Sequence, residues 1–414
     1  MKKYSVKTVE KKIKKIVTTV PGSKSLTNRA LLLAALNDGP IKLKGISLCD
    51  DAMAMLDCLE KLGFKIELDK EQCSVVVFGN GGVIPNKKAT INVRSAGTTA
   101  RFMTALLAFA GGEYTLESSE QMKKRPMKEL LDVLEDLGVS ITYMENEGHF
   151  PFVLKSEGLD NVNVSVDTTR STQFASALIL LSMVRNININ LTGSRTDGAY
   201  IKMTRELMKQ FASNRSSSFQ VEPDVSAACY FYAMALILKT KVLVRNVYND
   251  SLQGDLRFLE IIKHAGGRVK QKRGGILVDC TGVDGYDGFA VDMHDFSDQA
   301  LTAAVLAAFA RTDSTIKNIA HIRKQESDRV MVIKTELEKV GCNVLIDEHD
   351  GMTDVVIKPR KLSGAEIDTY EDHRVAMSFA LLGLKVEDIV INDPMCCKKT
   401  FEDYFERIDE VTKG

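Results

Sequence analysis

A pattern written six times along the 414 residues limits the possible folds more than any other feature of the chain. Each copy runs from a β-branched residue closing a strand-like run, through a polar turn, into a stretch rich in Ala, Leu and Phe. The copies open at Val20 (VPGSKS), Val93 (VRSAGTT), Val166 (VDTTRSTQ), Val221 (VEPDVS), Val291 (VDMHDFSD) and Ile367 (IDTYEDHR), 73, 73, 55, 70 and 76 residues apart. That period is longer than a solenoid repeat of ~20–50 residues and suits a βαβαββ unit. Second helices are expected over 50–62, 127–137, 200–211, 252–265 and 327–340; four of these are followed by Gly, the usual helix stop. Asn80-Gly81-Gly82 and Asp350-Gly351 read as hairpin turns. The short third interval predicts that the hairpin is missing from the third copy, where 212–219 (ASNRSSSF) stands in place of a strand.

The charges balance, with 55 Lys+Arg against 55 Asp+Glu, so no global field draws the chain to nucleic acid or to an acidic membrane. An anion must be caught locally. The apolar run 176–184 is too short for a membrane span of ~20 residues. The charged first twenty residues lack the apolar stretch of a secretion signal. Eight cysteines without a Cys-x-x-Cys pair and six histidines without a His-x-x-x-His pair leave no zinc-ligand spacing. Reduced thiols, a cytoplasmic location and no metal are expected.

A strand–turn–helix junction offers unpaired backbone N–H groups and the positive end of the helix dipole, and oxyanions gather there. Ser, Thr and Asp in these turns are explained by helix capping, worth ~1 kcal/mol each. The cations in the same turns are not: Lys24, Arg29, Arg94, Arg101, Arg170 and Arg374 oppose the dipole and call for something negative nearby. The known nucleotide signatures fail. Lys24 has only Gly22 before it where a Walker loop needs two spaced glycines, and Ile84 stands where a dinucleotide fingerprint needs its third glycine. A Gly-x-Ser-x-Gly elbow is absent as well.

The stretch 21–36 (PGSKSLTNRALLLAAL) resembles the opening motif of the EPSP synthase family, the 3-phosphoshikimate 1-carboxyvinyltransferases. The similarity continues in order through 95–98 (SAGT), 124–126 (KRP), 171–174 (STQF), Asp298, 323–329 (RKQESDR), 372–377 (DHRVAM) and 399–401 (KTF), nearly the whole chain. The resemblance implies an inside-out α/β barrel with two lobes, each of three βαβαββ repeats, the third being shortened here. The lobes would span 21–222, mainly the shikimate 3-phosphate side, and 1–20 plus 223–414, mainly the phosphoenolpyruvate side, with the active site in the cleft between them. It also implies transfer of the enolpyruvyl group of phosphoenolpyruvate to the 5-hydroxyl of shikimate 3-phosphate, with release of phosphate and no cofactor.

Roles follow from motif position. Lys24 is expected to contact both substrates and assist the departing phosphate. Ser25, Arg29, Ser171, Thr172, Gln173, Tyr200, Asp298 and Gln325 are expected on the shikimate 3-phosphate side. Gly97, Arg125, Gln173, Arg329, Arg374 and Lys399 are expected to hold phosphoenolpyruvate, because a guanidinium fork matches carboxylate and phosphate alike. Asp298 is the candidate base for the 5-hydroxyl, and Glu326 the candidate proton carrier at the methylene carbon. Either carboxylate could instead be an ion-pair partner of the arginines.

The chain departs from the family pattern at several places. Gln325 stands where a lysine is common, with Lys324 one step earlier; Ser95 stands for Asn and Ala199 for Pro. Asp197 lies near the place of a phosphate-binding serine, a contact Ser194 could supply instead. The nearest alternative is the sister enolpyruvyl transferase acting on UDP-N-acetylglucosamine, which has Asn where Ser25 stands and usually a loop cysteine that 113–130 lacks. An idle phosphate-binding protein of the same fold would have no use for Asp298 and Glu326 together. Two anionic substrates imply lobes that close when filled, small-molecule partners only, a monomer, and, with Gly97 unsubstituted, sensitivity to glyphosate.

Overall fold

The structure, a computed structural model, describes residues 2–169, 171–213 and 217–413. The chain divides into two compact units, 22–222 and 1–21 with 223–414.

The opening helix of each repeat is buried nearly all round rather than along one stripe, with protein on every side. Lys24–Leu36 is buried from Leu26 onward, and Val225–Ile237, Ala300–Ala308 and His373–Ala380 are buried at every residue. In Gln173–Leu181 burial runs from Phe174 to the end, and in Gly97–Ala110 only Thr98 and Ala110 escape it. The strands alternate instead: Ile187–Thr192, Lys88–Asn92 and Ala290–Asp292 turn one face to solvent. Helices therefore fill the inside and sheets form the outside, the reverse of a doubly wound sheet.

Four sheets share one plan. The first strand is parallel to the second, the fourth runs antiparallel between the second and third, and the order is first, second, fourth, third. In the second repeat Lys88–Asn92 pairs in parallel with Gly112–Glu117, which pairs with Phe152–Ser156, which pairs with Ser140–Tyr143. The fifth repeat does the same with Ala290–Asp292, Ser314–Lys317, Met352–Lys358 and Asn343–His349.

The first and fourth repeats follow this plan with one exchange. The strand Ile16–Thr18, which precedes the first buried helix in sequence, pairs in parallel with Lys241–Arg245. The strand Ser218–Gln220, which precedes the fourth, pairs in parallel with Asp38–Lys44. Each completes the sheet of the other repeat. In the sixth repeat Ala365–Ile367 is parallel to Ile389–Asn392, and Lys3–Ser5 takes the place beside it that a hairpin fills elsewhere.

The third repeat keeps only the parallel pair Val162–Asp167 and Ile187–Thr192. Between Gln210 and Val221 the helix Ala199–Ser213 ends and a single strand, Ser218–Gln220, is seen among the described residues, so the expected loss of the hairpin is found. The second helices appear at Asp50–Lys61, Lys128–Asp136, Ala199–Ser213, Phe258–His264 and Arg329–Lys339, the fourth after a short 3-10 turn at Gly254–Arg257. Asn80-Gly81-Gly82 does not turn a hairpin: it ends the strand Ser74–Asn80, whose partner Ile66–Asp69 precedes it, and the hairpin turns at 70–73. Asp350-Gly351 does join the paired strands Asn343–His349 and Met352–Lys358.

Candidate active site

In the unit 22–222 the turn before Lys24–Leu36 is packed too closely for any side chain at Gly22, whose Cβ would lie 2.0 Å from the Gly45 carbonyl oxygen. Ser23 caps the helix by accepting from the Leu26 N–H, and Ser47 N–H donates to Thr27 Oγ1 at 2.9 Å. Lys24, at the first helical position, is thereby fixed, and its ammonium pairs with Asp51 at 3.1 Å; the two side chains are 14% and 5% exposed. Asp51 lies in the first turn of Asp50–Lys61, and its carbonyl accepts from Thr99 Oγ1 at 3.3 Å, which ties the first two repeats together.

Gly97 opens the second buried helix, and Arg125 lies over it: a Cβ at Gly97 would be 2.7–2.9 Å from the guanidinium. Arg125 Nε is buried without a hydrogen-bond partner among the described residues. An unsatisfied buried guanidinium donor is costly unless an acceptor arrives. The other turn cations of this repeat have internal partners. Arg94, half exposed, pairs with Asp57, and Arg101 donates to the carbonyls of Gly97 at 3.2 Å and Pro126 at 2.9 Å. Arg170 lies outside the described residues.

Arg29, 2% exposed, joins three repeats. Its Nε donates to Thr204 Oγ1 at 2.8 Å, Nη1 to the Ser25 carbonyl at 3.0 Å and Nη2 to Ser176 Oγ at 3.2 Å. The Phe102 and Tyr200 rings lie 5.5 and 5.7 Å from its guanidinium carbon. Burial pushes its pKa down to about 10, which leaves it charged at neutral pH. Ser171 Oγ accepts from the Gln173 N–H at 3.2 Å, so this serine shapes the start of Gln173–Leu181; Thr172 is buried beside it. The structure brings Ser25, Arg29 and Tyr200 together, with Ser171, Thr172 and Gln173 about one turn before Ser176 on the third helix.

In the other unit the hub is Arg329, 1% exposed at the start of Arg329–Lys339. Its Nε and Nη2 grip both oxygens of the fully buried Asp372 at 2.8 and 3.2 Å, Nη1 donates to Asp298 at 3.1 Å, Nη2 also donates to Glu326 at 3.0 Å, and Gln325 Oε1 accepts from Nη1. Burial alone would weaken its hold on the proton, but Asp372, Glu326 and Asp298 outweigh it and set its pKa above the ordinary guanidinium range. Arg374, 7% exposed, donates to Asp298 at 2.8 Å and to Ser226 at 3.4 Å. Lys399 is buried with no hydrogen bond to its ammonium among the described residues, and the Glu326 carboxylate is 3.6 Å away. Six sequence-predicted residues, Asp298, Gln325, Glu326, Arg329, Arg374 and Lys399, thus form one connected net. Both expected acids are ion-pair partners of the expected arginines.

The 3-phosphoshikimate 1-carboxyvinyltransferase (EPSP synthase) family model matches residues 7–214 and 212–408. The chain belongs to the EPSP synthase family. Among its relatives, a 3-phosphoshikimate 1-carboxyvinyltransferase of Nostoc punctiforme is 37% identical over 411 residues, covering 95% of each chain. One of Colwellia psychrerythraea is 36% identical over 417 residues, covering 95% of this chain and 96% of its own. The solved EPSP synthase of Acinetobacter baumannii superposes with a TM-score of 0.79 at 21% identity, over 99% of this chain and 98% of that one. The fold is accordingly the inside-out α/β barrel of EPSP synthases.

Within this family frame, several residues of the two clusters were not singled out from the sequence. Asp51, the partner of Lys24, reads as an ordinary acid in a first helical turn, and nothing in its spacing points to Lys24. Asp372 lies inside the DHRVAM motif but reads as a helix cap; it does cap, accepting from Arg374 N–H at 2.9 Å, while also anchoring Arg329. Asp255 is buried behind Asp298 and takes a hydrogen bond from Gln299 at 2.9 Å. Burial first, and the charge of Asp298 second, push its carboxyl up to about 6. Lys324 is exposed, whereas Gln325 is the residue that touches Arg329. Asp197, near the place where a phosphate-binding serine was expected, pairs with Lys202 at 2.8 Å.

Proposed function

We propose that this chain transfers the enolpyruvyl group of phosphoenolpyruvate to the 5-hydroxyl of shikimate 3-phosphate and releases phosphate. In the addition, the 5-oxygen forms a bond to the enol carbon while the methylene carbon gains a proton and the hydroxyl gives one up, leaving a tetrahedral ketal. In the elimination, a methyl proton leaves, the double bond returns and the carbon–oxygen bond to phosphate breaks. Acid and base groups must act in both directions.

The observation that carries this reading is the net of Arg329, Arg374 and Lys399 with Asp298 and Glu326 in a chain of this family. Three cations held rigidly beside two carboxylates suit a substrate that carries carboxylate and phosphate and a reaction that gives one proton to a carbon and takes another from a hydroxyl. In this reading Arg329, Arg374 and Lys399 bind phosphoenolpyruvate with Arg125, whose buried Nε gains an acceptor when the ligand arrives. Glu326 carries the proton to and from the methylene carbon and Asp298 takes the 5-hydroxyl proton. Lys24 stabilises the departing phosphate. Ser25, Arg29, Ser171, Thr172, Gln173, Tyr200 and Gln325 serve shikimate 3-phosphate.

The partners are small molecules. We further propose a cytoplasmic monomer that binds no nucleic acid; balanced charge speaks against nucleic acid, and free thiols at all eight cysteines suit a reducing compartment. Phosphate release measured with shikimate 3-phosphate plus phosphoenolpyruvate tests the activity. Release that requires both substrates is expected; release with UDP-N-acetylglucosamine as acceptor, or none with either, overturns it. An inhibition curve with glyphosate against varied phosphoenolpyruvate tests the expected sensitivity.

A further inference from the structure

The helix Arg329–Lys339 carries a second buried charge that the reaction does not use. Glu336 is fully buried, seven residues beyond Arg329, so the two lie two turns apart on one face, about 10 Å along the axis. Its Oε1 accepts from the Tyr370 hydroxyl at 2.6 Å and its Oε2 from the Asp368 N–H at 3.2 Å, and Lys339 pairs with it at 2.8 Å. Burial and the charge of Glu336 keep the Tyr370 phenol protonated, so it remains a donor.

Tyr370 and Glu371 are both left-handed, with φ of 54° and 55°, a conformation that β-carbon-bearing residues resist and that surrounding contacts must hold. The next residue is Asp372. Its carboxylate grips Arg329, accepts from Ser327 Oγ at 2.9 Å and caps the helix that presents Arg374. The loop 368–372 is therefore fastened to one helix at three residues, by Asp368 to Glu336 and Lys339, by Tyr370 to Glu336 and by Asp372 to Arg329, and the strained pair spans the interval from the second to the third.

We propose that the Glu336–Tyr370 pair is a positioning latch that sets where Asp372, and through it Arg329 and Arg374, stand for phosphoenolpyruvate. The proposal rests on the reading that those arginines hold that substrate. With the latch open the left-handed pair relaxes, Asp372 loses its fixed place and the arginine forks lose register with the ligand. Shikimate 3-phosphate, held mainly through the unit 22–222, feels the change only through Gln325 and Asp298, which touch the two arginines, and so feels it less.

The test uses the full chain with Tyr370→Phe, Glu336→Gln, their double variant and Arg374→Lys, each assayed for KM of both substrates, kcat and Tm. Tyr370→Phe is expected to raise the phosphoenolpyruvate KM about fivefold, the equivalent of one net hydrogen bond, with a clearly smaller change in the shikimate 3-phosphate KM. Glu336→Gln should do at least as much, and the double variant no more than the larger single effect, because one latch opens only once. If Tm falls while both KM values stay put, or if both KM values rise by the same factor, the pair is merely structural and the proposal is overturned. Tyr370 is partly exposed, so its variant keeps the test valid if Glu336→Gln does not fold. A rise of the phosphoenolpyruvate KM in Arg374→Lys, with none in Tyr370→Phe, refutes the latch and leaves the arginine reading standing. No rise in Arg374→Lys refutes that reading, and the latch with it.

Discussion

Substituting Gly97 by Ala should weaken phosphoenolpyruvate binding while leaving the protein as stable or more so. The new Cβ would lie 2.7 Å from Nη1, 2.8 Å from Nη2 and 2.9 Å from Cζ of Arg125. Ordinary contact begins at 3.4 Å, so the guanidinium must retreat by the difference from 2.7 Å, about 0.7 Å. A charge-assisted bond of ~2.8 Å stretched by that much reaches ~3.5 Å, the edge of hydrogen bonding. Losing one such bond costs about 1.5–3 kcal/mol, or roughly 10- to 150-fold in KM for phosphoenolpyruvate. The clash is with the far end of a flexible side chain, so the fold tolerates it, and at the first position of a helix Ala is accepted at least as readily as Gly. Steady-state kinetics with each substrate varied, together with a thermal melt, separates the two effects. A phosphoenolpyruvate KM within about twofold of the parent, or a Tm lowered by more than a few degrees, refutes the reasoning.

Gly22→Ala gives the contrasting result: its Cβ would meet the backbone of Gly45 at 2.0 Å, which cannot swing aside, so a marked fall in Tm is expected and an unchanged melt counts against the packing described here. Glu326→Gln should lower kcat by about 10²–10⁴ with both KM values little changed; a kcat within tenfold of the parent removes Glu326 from proton transfer. Asp255 has a folded pKa near 6 against an ordinary value of 3.8, so ionising it in the folded state costs stability as pH rises from about 4 through 6. That cost is absent below pH 4 and reaches about 3 kcal/mol above pH 6. Asp255→Asn should therefore gain stability relative to the parent between pH 4 and 7, read by denaturant unfolding at both, and a constant difference refutes the burial argument.

The repeat was legible because each copy carries its own local signals. Gly63, Gly138, Gly266 and Gly341 stop their helices with φ of 91°, 90°, 87° and 102°, values that a sequence reader infers from the residue type alone. The exchange of Ile16–Thr18 and Ser218–Gln220 left no such signal. A short strand before a helix looks the same whichever sheet receives it, and the partners here are more than 170 residues away. Asn80-Gly81-Gly82 misled for a related reason: glycines serve strand ends as well as hairpins, and a Cβ at Gly82 would lie 2.8 Å from Val184, so close packing accounts for one of them. At the site, the cations and the two acids of the motifs were visible, but the pairing of Lys24 with Asp51 and of Arg329 with Asp372 depends on three-dimensional neighbours that residue spacing does not encode.

The exchanged strands also bear on the order of events during synthesis. Ile16–Thr18 leaves the ribosome early but cannot pair with Lys241–Arg245 until all of 22–222 has followed it. If that insertion were still unfolded, the pairing would close a loop of roughly 220 residues. Once it folds, the Ser23 N–H donates to the Glu222 carbonyl at 2.8 Å, its two ends are adjacent, and the open loop shrinks to roughly twenty residues. The saving is about 2 kcal/mol of chain entropy. The nascent chain thus has a thermodynamic reason to finish its middle before its ends, and a strand made among the first waits for its place until that middle is done.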